Sequence, residues 1–251
     1  VSCFLVNIED SCEGISYGVS SANHLSKIGG GVALNLTRLR AAGESIKGIK
    51  GAAGGVMGVA KLLEQSFSYF NQMGARQGAG AVYLNVLHPD FELLMDTKKI
   101  NADEKIRLTT LSIGAIIPDK FMELAEKNEN CYAFYPHSIY QKYGVHLDEI
   151  KMDEWYDKLA QDDEIEKKEI NPRELLTRIA QTQQESGYPY VVFIDSANQQ
   201  HTLKDVGMIK MSNLCCEIFQ YQTPSDIKGY GQVSDWGQDI SCNLGSLNIA
   251  N

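Results

Sequence analysis

Hydrophobic and polar positions along the chain follow two patterns. Mostly apolar runs of five or six residues, such as 32–36 and 81–86, are typical of strands buried on both faces of a sheet. Other segments repeat apolar residues at three- and four-residue steps, which predicts amphipathic helices. The predicted strands are 2–6, 32–36, 81–86, 111–117, 190–195 and 241–249, and the predicted helices are 12–25, 55–73, 90–95, 119–127, 152–159 and 171–184.

The alternation of strands with helices predicts an α/β fold with mostly parallel strands. Asp10 or Ser11 can cap the first helix, and Gly29 can end it because glycine adopts the left-handed conformation without strain. A polar loop is predicted at 198–211, followed by a short apolar insertion at 213–219. No internal repeat or shift in composition divides the 251 residues.

Charge and composition exclude some functions. The net charge of −9 and the pI of about 5.1 argue against a nucleic-acid partner, although backbone amides can still bind a small anion. No apolar run approaches the ~18 residues of a membrane span. The first residues include no basic segment of the kind with which a secretory signal peptide begins. We therefore expect no membrane contact and a cytoplasmic location.

The chain has six cysteines, at positions 3, 12, 131, 215, 216 and 242. They form no CxxC pair and no Cys/His spacing typical of zinc, so no metal site is predicted. A chain of this length does not need a disulfide framework. Cys12 and Cys131 are therefore interpreted as small buried hydrophobic residues.

Three chemically different side chains stand two residues apart at Asn213, Cys215 and Glu217. In an extended segment all three would point the same way and present an amide, a thiol and a carboxylate on one surface. Such a trio could orient a hydroxyl group, abstract an atom and accept a proton. The same spacing also fits a chance alternation in a buried strand.

Several runs of the chain resemble segments of ribonucleotide reductase large subunits. Residues 211–217 (MSNLCCE) resemble the finger loop of that family, 239–248 (DISCNLGSLN) the strand after it, and 1–5 (VSCFL) its first barrel strand. Residues 72–81 and 101–107 are similar to segments of the class Ib branch. The likeness therefore extends from end to end of the chain.

The resemblance implies that residues 1–251 are part of a catalytic barrel domain: the first half, plus one strand, of a ten-stranded α/β barrel. A finger loop at about 212–220 would project into its centre, and effector-site loops and dimer helices would fall within 10–80. The family's N-terminal region, second half-barrel and C-terminal cysteines are expected outside this segment. The isolated segment is therefore expected to be inactive.

The implied reaction is the reduction of ribonucleoside diphosphates to deoxyribonucleotides by thiyl-radical chemistry. The family would make Cys215 the thiyl that abstracts the hydrogen on the ribose 3′ carbon and Glu217 the base on the 3′ hydroxyl. Asn213 would orient the sugar hydroxyls. Cys3 and Cys242 would be the dithiol that reduces the 2′ position and ends as a disulfide.

Two nucleotide sites are implied by the same resemblance. Ser2, Gly30 and Gly31 would contact the substrate beside the three finger-loop residues, since glycine allows close approach of the backbone to phosphate. A plain helix end is the alternative for the glycines. A deoxynucleoside triphosphate effector would bind a second site, for which the matching residues are Asp10 at the sugar, Arg40 and Lys47 at the phosphates, and Gln72 and Arg76 on the loop that reads its base.

The implied partners are several. A homodimer would form through helices at about 11–27 and 55–73, although their apolar stripes also fit ordinary core packing. A small radical-generating subunit would hold a dimetal-tyrosyl radical cofactor that this chain does not bind. A thioredoxin- or glutaredoxin-like protein would reduce the disulfide.

Other interpretations remain open at this point. The chain could be another thiyl-radical barrel enzyme, either a glycyl-radical or a cobalamin-dependent one, or a fragment that binds nucleotide without catalysis. It could also be a plain α/β scaffold with buried cysteines, which would leave Cys3 and Cys242 far apart. Cys216 is interpreted as a packing residue, because a radical at Cys216 would require a register shift that displaces Asn213 and Glu217.

Overall fold

A computed structural model describes residues 3–71 and 77–249. The strands are β1 (Cys3–Asn7), β2 (Gly31–Asn35), β3 (Gly80–Asn85), β4 (Ser112–Ile117), β5 (Cys131–Phe134), β6 (Lys167–Ile170), β7 (Tyr190–Phe193), β8 (Asp226–Gly229), β9 (Gln232–Asp235) and β10 (Ile240–Cys242). The helices are α1 (Cys12–Lys27), α2 (Val56–Tyr69), α3 (Phe91–Asp96), α4 (Asp119–Lys127), α5 (Pro136–Tyr143), α6 (Met152–Gln161), α7 (Pro172–Ser186) and α8 (Ile194–Gln200), with a 3₁₀ helix at Leu147–Glu149.

The main sheet has six strands in the order β10-β1-β2-β3-β4-β7. The strands from β1 to β7 are parallel to one another, and β10 alone pairs antiparallel, along the outer edge of β1. The sheet curls into a half-barrel, which confirms the predicted α/β class. Two small antiparallel pairs, β5-β6 and β8-β9, stand apart from it.

Along each central strand, successive side chains point to opposite faces of the sheet. The outer face packs against the helices through residues such as Val6, Leu34 and Leu84. The inner face carries a second apolar cluster that includes Cys3 and Tyr83 and packs against the segment around residues 211–219. The strands are therefore buried on both sides, as their mostly apolar sequences predict.

The helix boundaries confirm the end signals predicted for α1, and α7 begins and ends in the same way. The Ser11 side chain caps α1 by accepting a hydrogen bond from the Gly14 amide, and Asn171 caps α7 in the same way. Gly29 and Gly187 adopt positive φ angles of 104° and 78° after those helices. Among the described residues, no helix is both long and apolar enough to cross a membrane.

The sixth strand was predicted at 241–249, which was wrong in length. The observed strand is shorter and runs antiparallel to β1. β10 covers only Ile240–Cys242 and pairs with residues Cys3–Leu5 of β1. The strand predicted at 190–195 ends at Phe193, and α8 replaces part of the loop predicted at 198–211.

Candidate active site

Residues 212–220, the finger loop, form a tight turn and not an extended strand. The Cys216 amide donates to the Asn213 carbonyl (3.1 Å), and the Asn213 side-chain oxygen accepts from the amides of Glu217 and Ile218 (both 2.9 Å). Asn213 is fully buried, whereas Cys215 and Glu217 are exposed. The expectation that all three side chains point the same way from an extended segment was therefore wrong, because the asparagine side chain replaces a backbone partner and closes the turn.

The inner face of the sheet holds this turn at two points. The hydroxyl of Tyr83 on β3 donates a 2.7 Å hydrogen bond to the Asn213 carbonyl. Leu214 covers Gly31 on β2 so closely that a Cβ there would lie 2.5 Å from the leucine side chain. Gly114 on β4 leaves the room that the Tyr83 ring occupies. The position of Cys215 is thus set by contacts of its neighbours with β2 and β3.

Cys3 and Cys242 lie opposite each other in the register of β1 and β10. Such partners have Cα atoms about 4.5–5.5 Å apart, within the range of about 4.4–6.8 Å that a disulfide spans. Both side chains are buried and both thiols are free. This register does not support the plain-scaffold alternative, which would leave the two residues far apart.

The thiols and a carboxylate influence one another electrostatically. Partial burial, followed by the charge of Glu217 and the proximity of Cys3, raises the pKa of the Cys215 thiol. Burial raises the pKa of Cys242 to about 11, and Cys3, Glu217 and Cys215 add to the effect. These two thiols are therefore protonated at neutral pH. A protonated thiol is a poor nucleophile and a poor metal ligand, but it retains the S–H bond that a hydrogen-atom transfer requires.

Asn213 has one hydrogen-bonding group left over. Its side-chain oxygen is committed to the turn, but its Nδ2 is buried and has no partner among the described residues. A buried, unpaired donor is costly. The side chain can therefore still donate a hydrogen bond to an oxygen atom placed next to the loop.

The two glycines predicted to contact substrate have packing partners in the structure. A Cβ on Gly30 would lie 2.3 Å from the Phe4 ring, and the space above Gly31 is taken by Leu214. Packing alone thus explains glycine at both positions, and contact with substrate stays a prediction. Ser2 lies outside the described residues.

The residues predicted for the effector site fall in part into one cleft. Arg40 donates to Asp10 through Nε (2.7 Å) and through its own backbone amide (3.2 Å). Both residues line a pocket of about 380 Å³ together with Cys12 at the start of α1. Cys12 is exposed there, so the interpretation of this residue as buried was wrong, whereas Cys131 is buried as expected. Lys47 is exposed in a turn, with a φ of 50°. Gln72 and Arg76 lie outside the described residues.

Two buried carboxylates fix the segment between β2 and α2 that carries Arg40. Glu44 accepts from the amides of Ala41, His137 and Ser138, which joins this segment to the start of α5. Burial raises the pKa of Glu44 to about 7 against the opposing effect of these amides. Asp90, which follows β3, accepts from the amides of Ala42 and Val56, the latter at the start of α2.

A sequence profile of the ribonucleotide reductase barrel domain matches residues 1–251. The chain belongs to this family. Subunit alpha of the ribonucleoside-diphosphate reductase of Bacillus subtilis is 51% identical over 251 residues, all of this chain and 36% of that protein. The subunit alpha of Mycoplasma genitalium is 48% identical over 250 residues, 34% of its length, and that of Synechocystis sp. is 36% identical over 260 residues, 32% of its length. The chain thus spans about a third of these curated relatives.

For this ribonucleotide reductase barrel, sequence reasoning missed the residues that hold the site. Tyr83 is a tyrosine inside an apolar strand. A buried tyrosine hydroxyl usually needs a hydrogen-bond partner, so its presence in this strand could have pointed to a contact with another segment. Glu44 lies in a polar connection and resembles an ordinary surface residue. Asp90 was interpreted only as part of a helix start. Each of them acts on a segment that is distant in sequence.

Proposed function

We propose that the full-length protein is the catalytic subunit of a ribonucleoside-diphosphate reductase. The observation that carries the proposal is the placement of Cys242 opposite Cys3, with Cys215 electrostatically coupled to both. A two-electron reductant needs two thiols within bonding distance, and a radical thiol needs to be near them. The family membership supports the same chemistry, since the relatives described above carry the name of this enzyme.

The proposed reaction begins at Cys215. Its thiyl takes the hydrogen atom from the ribose 3′ carbon and becomes a thiol, while Glu217 accepts the proton of the 3′ hydroxyl. The 2′ hydroxyl leaves as water, and Cys3 and Cys242 supply two electrons and two hydrogens as they close a disulfide. Cys215 then returns its hydrogen to the 3′ carbon. The net change is ribonucleotide plus dithiol to deoxyribonucleotide, disulfide and water.

Substrate would be oriented by the finger loop and the adjacent strand ends. The unpaired Nδ2 of Asn213 would donate to a sugar hydroxyl oxygen, and this contact would remove the cost of a buried unsatisfied donor. Ser2, Gly30 and Gly31 would contact the ribose and diphosphate. Because Leu214 already covers the Cβ side of Gly31, substrate would reach that residue through its backbone.

The cleft at Asp10 and Arg40 would bind a deoxynucleoside triphosphate effector. Asp10 would bind its sugar hydroxyl, and Arg40 and Lys47 its phosphates. Gln72 and Arg76 would read the base. Arg40 forms an ion pair with Asp10, and a bound phosphate would replace this carboxylate as the partner of Arg40.

The chain would work in an assembly. α1 and α2 would form a homodimer, a proposal supported by exposed apolar side chains at Ile28 (74%) and Tyr69 (80%). A small subunit of the class Ib type would supply the oxidising equivalent for Cys215 from a dimetal-tyrosyl radical cofactor. A thioredoxin- or glutaredoxin-like protein would reopen the disulfide. We place the enzyme in the cytoplasm, where a reducing environment can sustain this cycle.

The test uses the full-length protein combined with its small subunit and a ribonucleoside diphosphate. Cys215→Ser should abolish formation of deoxynucleotide while nucleotide binding persists. The adjacent Cys216→Ser is a matched control and should keep most of the activity, because its thiol faces the Val191 carbonyl and not the other cysteines. Turnover in Cys215→Ser would refute the proposal.

A further inference from the structure

A cluster of five charged side chains lies between the Asp10–Arg40 cleft and the start of the finger loop. Arg38 donates to both oxygens of Asp148 (3.1 and 3.2 Å), to Glu149 (3.0 Å) and to Glu9. Lys210 contacts Glu149 (3.4 Å) and Asp148 (3.9 Å). The side chains of Arg38 and Asp148 are each 2% exposed and that of Lys210 is 7% exposed, so most of this ionic cluster is buried.

The two ends of the ionic cluster are joined to the two proposed sites through the backbone. Glu9 immediately precedes Asp10, and Arg38 stands two residues before Arg40. At the other end, Lys210 leads directly into the buried residues Met211, Ser212 and Asn213. Lys210 itself lines neither the cleft nor the group of thiols.

The charges in the ionic cluster depend strongly on one another. Burial alone would raise the pKa of Glu149, but Arg38 and Lys210 lower it. Burial would lower the pKa of Arg38, but Asp148 and Glu9 raise it well above the usual value. Two cations thus face three carboxylates in a region of low polarity, where a charge that loses its partner is expensive. Because Arg38 and Lys210 share Asp148 and Glu149 as partners, a shift of Arg38 would leave these two carboxylates to Lys210.

We propose that this ionic cluster couples occupancy of the Asp10–Arg40 cleft to the position of the finger loop, with Lys210 as the positioning residue at the loop. The inference rests on the proposed effector site. When phosphate replaces Asp10 as the partner of Arg40, segments 9–10 and 38–40 readjust together. Arg38 and Glu9 move with them, and Asp148 and Glu149 transmit the change to Lys210.

The experiment compares Lys210→Met with Lys98→Met in the full-length protein. Lys98 is a matched control, since it is also buried but donates to the Leu108 carbonyl in another part of the fold. The readouts are dTTP affinity by calorimetry and the effect of dTTP on the rate at which Cys215 is alkylated. We expect dTTP to change that rate about fivefold or more in the unmodified protein and in Lys98→Met, and about twofold or less in Lys210→Met, which still binds dTTP.

Further variants separate the possible failures. Lys210→Arg keeps the charge and should restore the dTTP effect. If Lys210→Met does not fold, Glu149→Gln carries the same prediction, because that side chain is partly exposed. A folded Lys210→Met with the full dTTP effect overturns the inference alone. If dTTP binding is unchanged in Asp10→Ala, the effector site itself is refuted and the inference falls with it.

Discussion

Cys3 on β1 pairs directly with Cys242 on β10, although the two residues stand near opposite ends of the chain. β10 is only three residues long and is the single antiparallel member of the main sheet. Its register places the second thiol opposite the first, on the face of the sheet that holds the finger loop. A short edge strand is therefore sufficient to complete a dithiol beside Cys215.

The hydrogen bond from Tyr83 to the finger loop should matter for catalysis more than for stability. Tyr83→Phe removes one buried hydrogen bond and should lower the free energy of unfolding by about 1 kcal/mol. The control is Tyr156→Phe, which removes the buried hydroxyl that accepts from the Tyr132 amide. We expect kcat to fall only in Tyr83→Phe, with KM for the diphosphate little changed. Equal kcat in both variants would contradict this role.

The absence of a side chain at Gly31 should be essential for the seating of the loop. Gly31→Ala places a methyl group against Leu214 and should cost about 1–3 kcal/mol of unfolding free energy. Gly58→Ala, in an open position on α2, should be neutral or slightly stabilising. Adding Leu214→Ala to Gly31→Ala should restore part of the unfolding free energy measured by chemical denaturation. If the double variant is no more stable than Gly31→Ala, the clash with Leu214 is not the cause of the loss.

Cys12 offers a direct probe of the effector cleft, because it lines the same pocket as Asp10 and Arg40. We expect dTTP to slow alkylation of Cys12 in the full-length protein, as measured by mass spectrometry. Asp10→Ala should weaken dTTP binding about tenfold through loss of a hydrogen bond to a charged group, and the protection should weaken accordingly. Asp163→Ala, which removes an exposed carboxylate elsewhere, should change neither. Protection that survives in Asp10→Ala would remove Asp10 from the site.

Glu44 should make stability depend on pH. Its pKa in the folded protein, about 7, lies above its ordinary value, so the folded state binds the proton more tightly than the unfolded state. The stabilisation is full below about pH 4.5 and is lost as the pH rises through 7. Between pH 5 and 8 the unmodified protein should lose up to about 3 kcal/mol relative to Glu44→Gln. The measurement is urea unfolding of both proteins across this pH range. If the difference between their unfolding free energies does not change with pH, Glu44 does not titrate as proposed.

The sequence was sufficient for the elements with strong periodicity, but not for local geometry or for the exposure of Cys12. Asn213, Cys215 and Glu217 alternate as in a strand, yet one buried amide closes a turn, and side-chain hydrogen bonds of this kind leave no periodic signal. Charged residues such as Arg38 are normally exposed. Its burial follows from Asp148, more than one hundred residues away, and only the assembled fold brings such partners together.

A single turnover of the pre-reduced full-length enzyme, with its C-terminal cysteines replaced by serine so that they cannot reopen the disulfide, tests the role of the three thiols. The reaction contains the small subunit and no added reductant, and is quenched with acid, alkylated and mapped by mass spectrometry. The proposed mechanism predicts that the peptides containing Cys3 and Cys242 become disulfide-linked in proportion to the deoxynucleotide formed, and that Cys215→Ser yields neither product nor link. Deoxynucleotide formed while Cys3 and Cys242 remain free throughout the time course would contradict it.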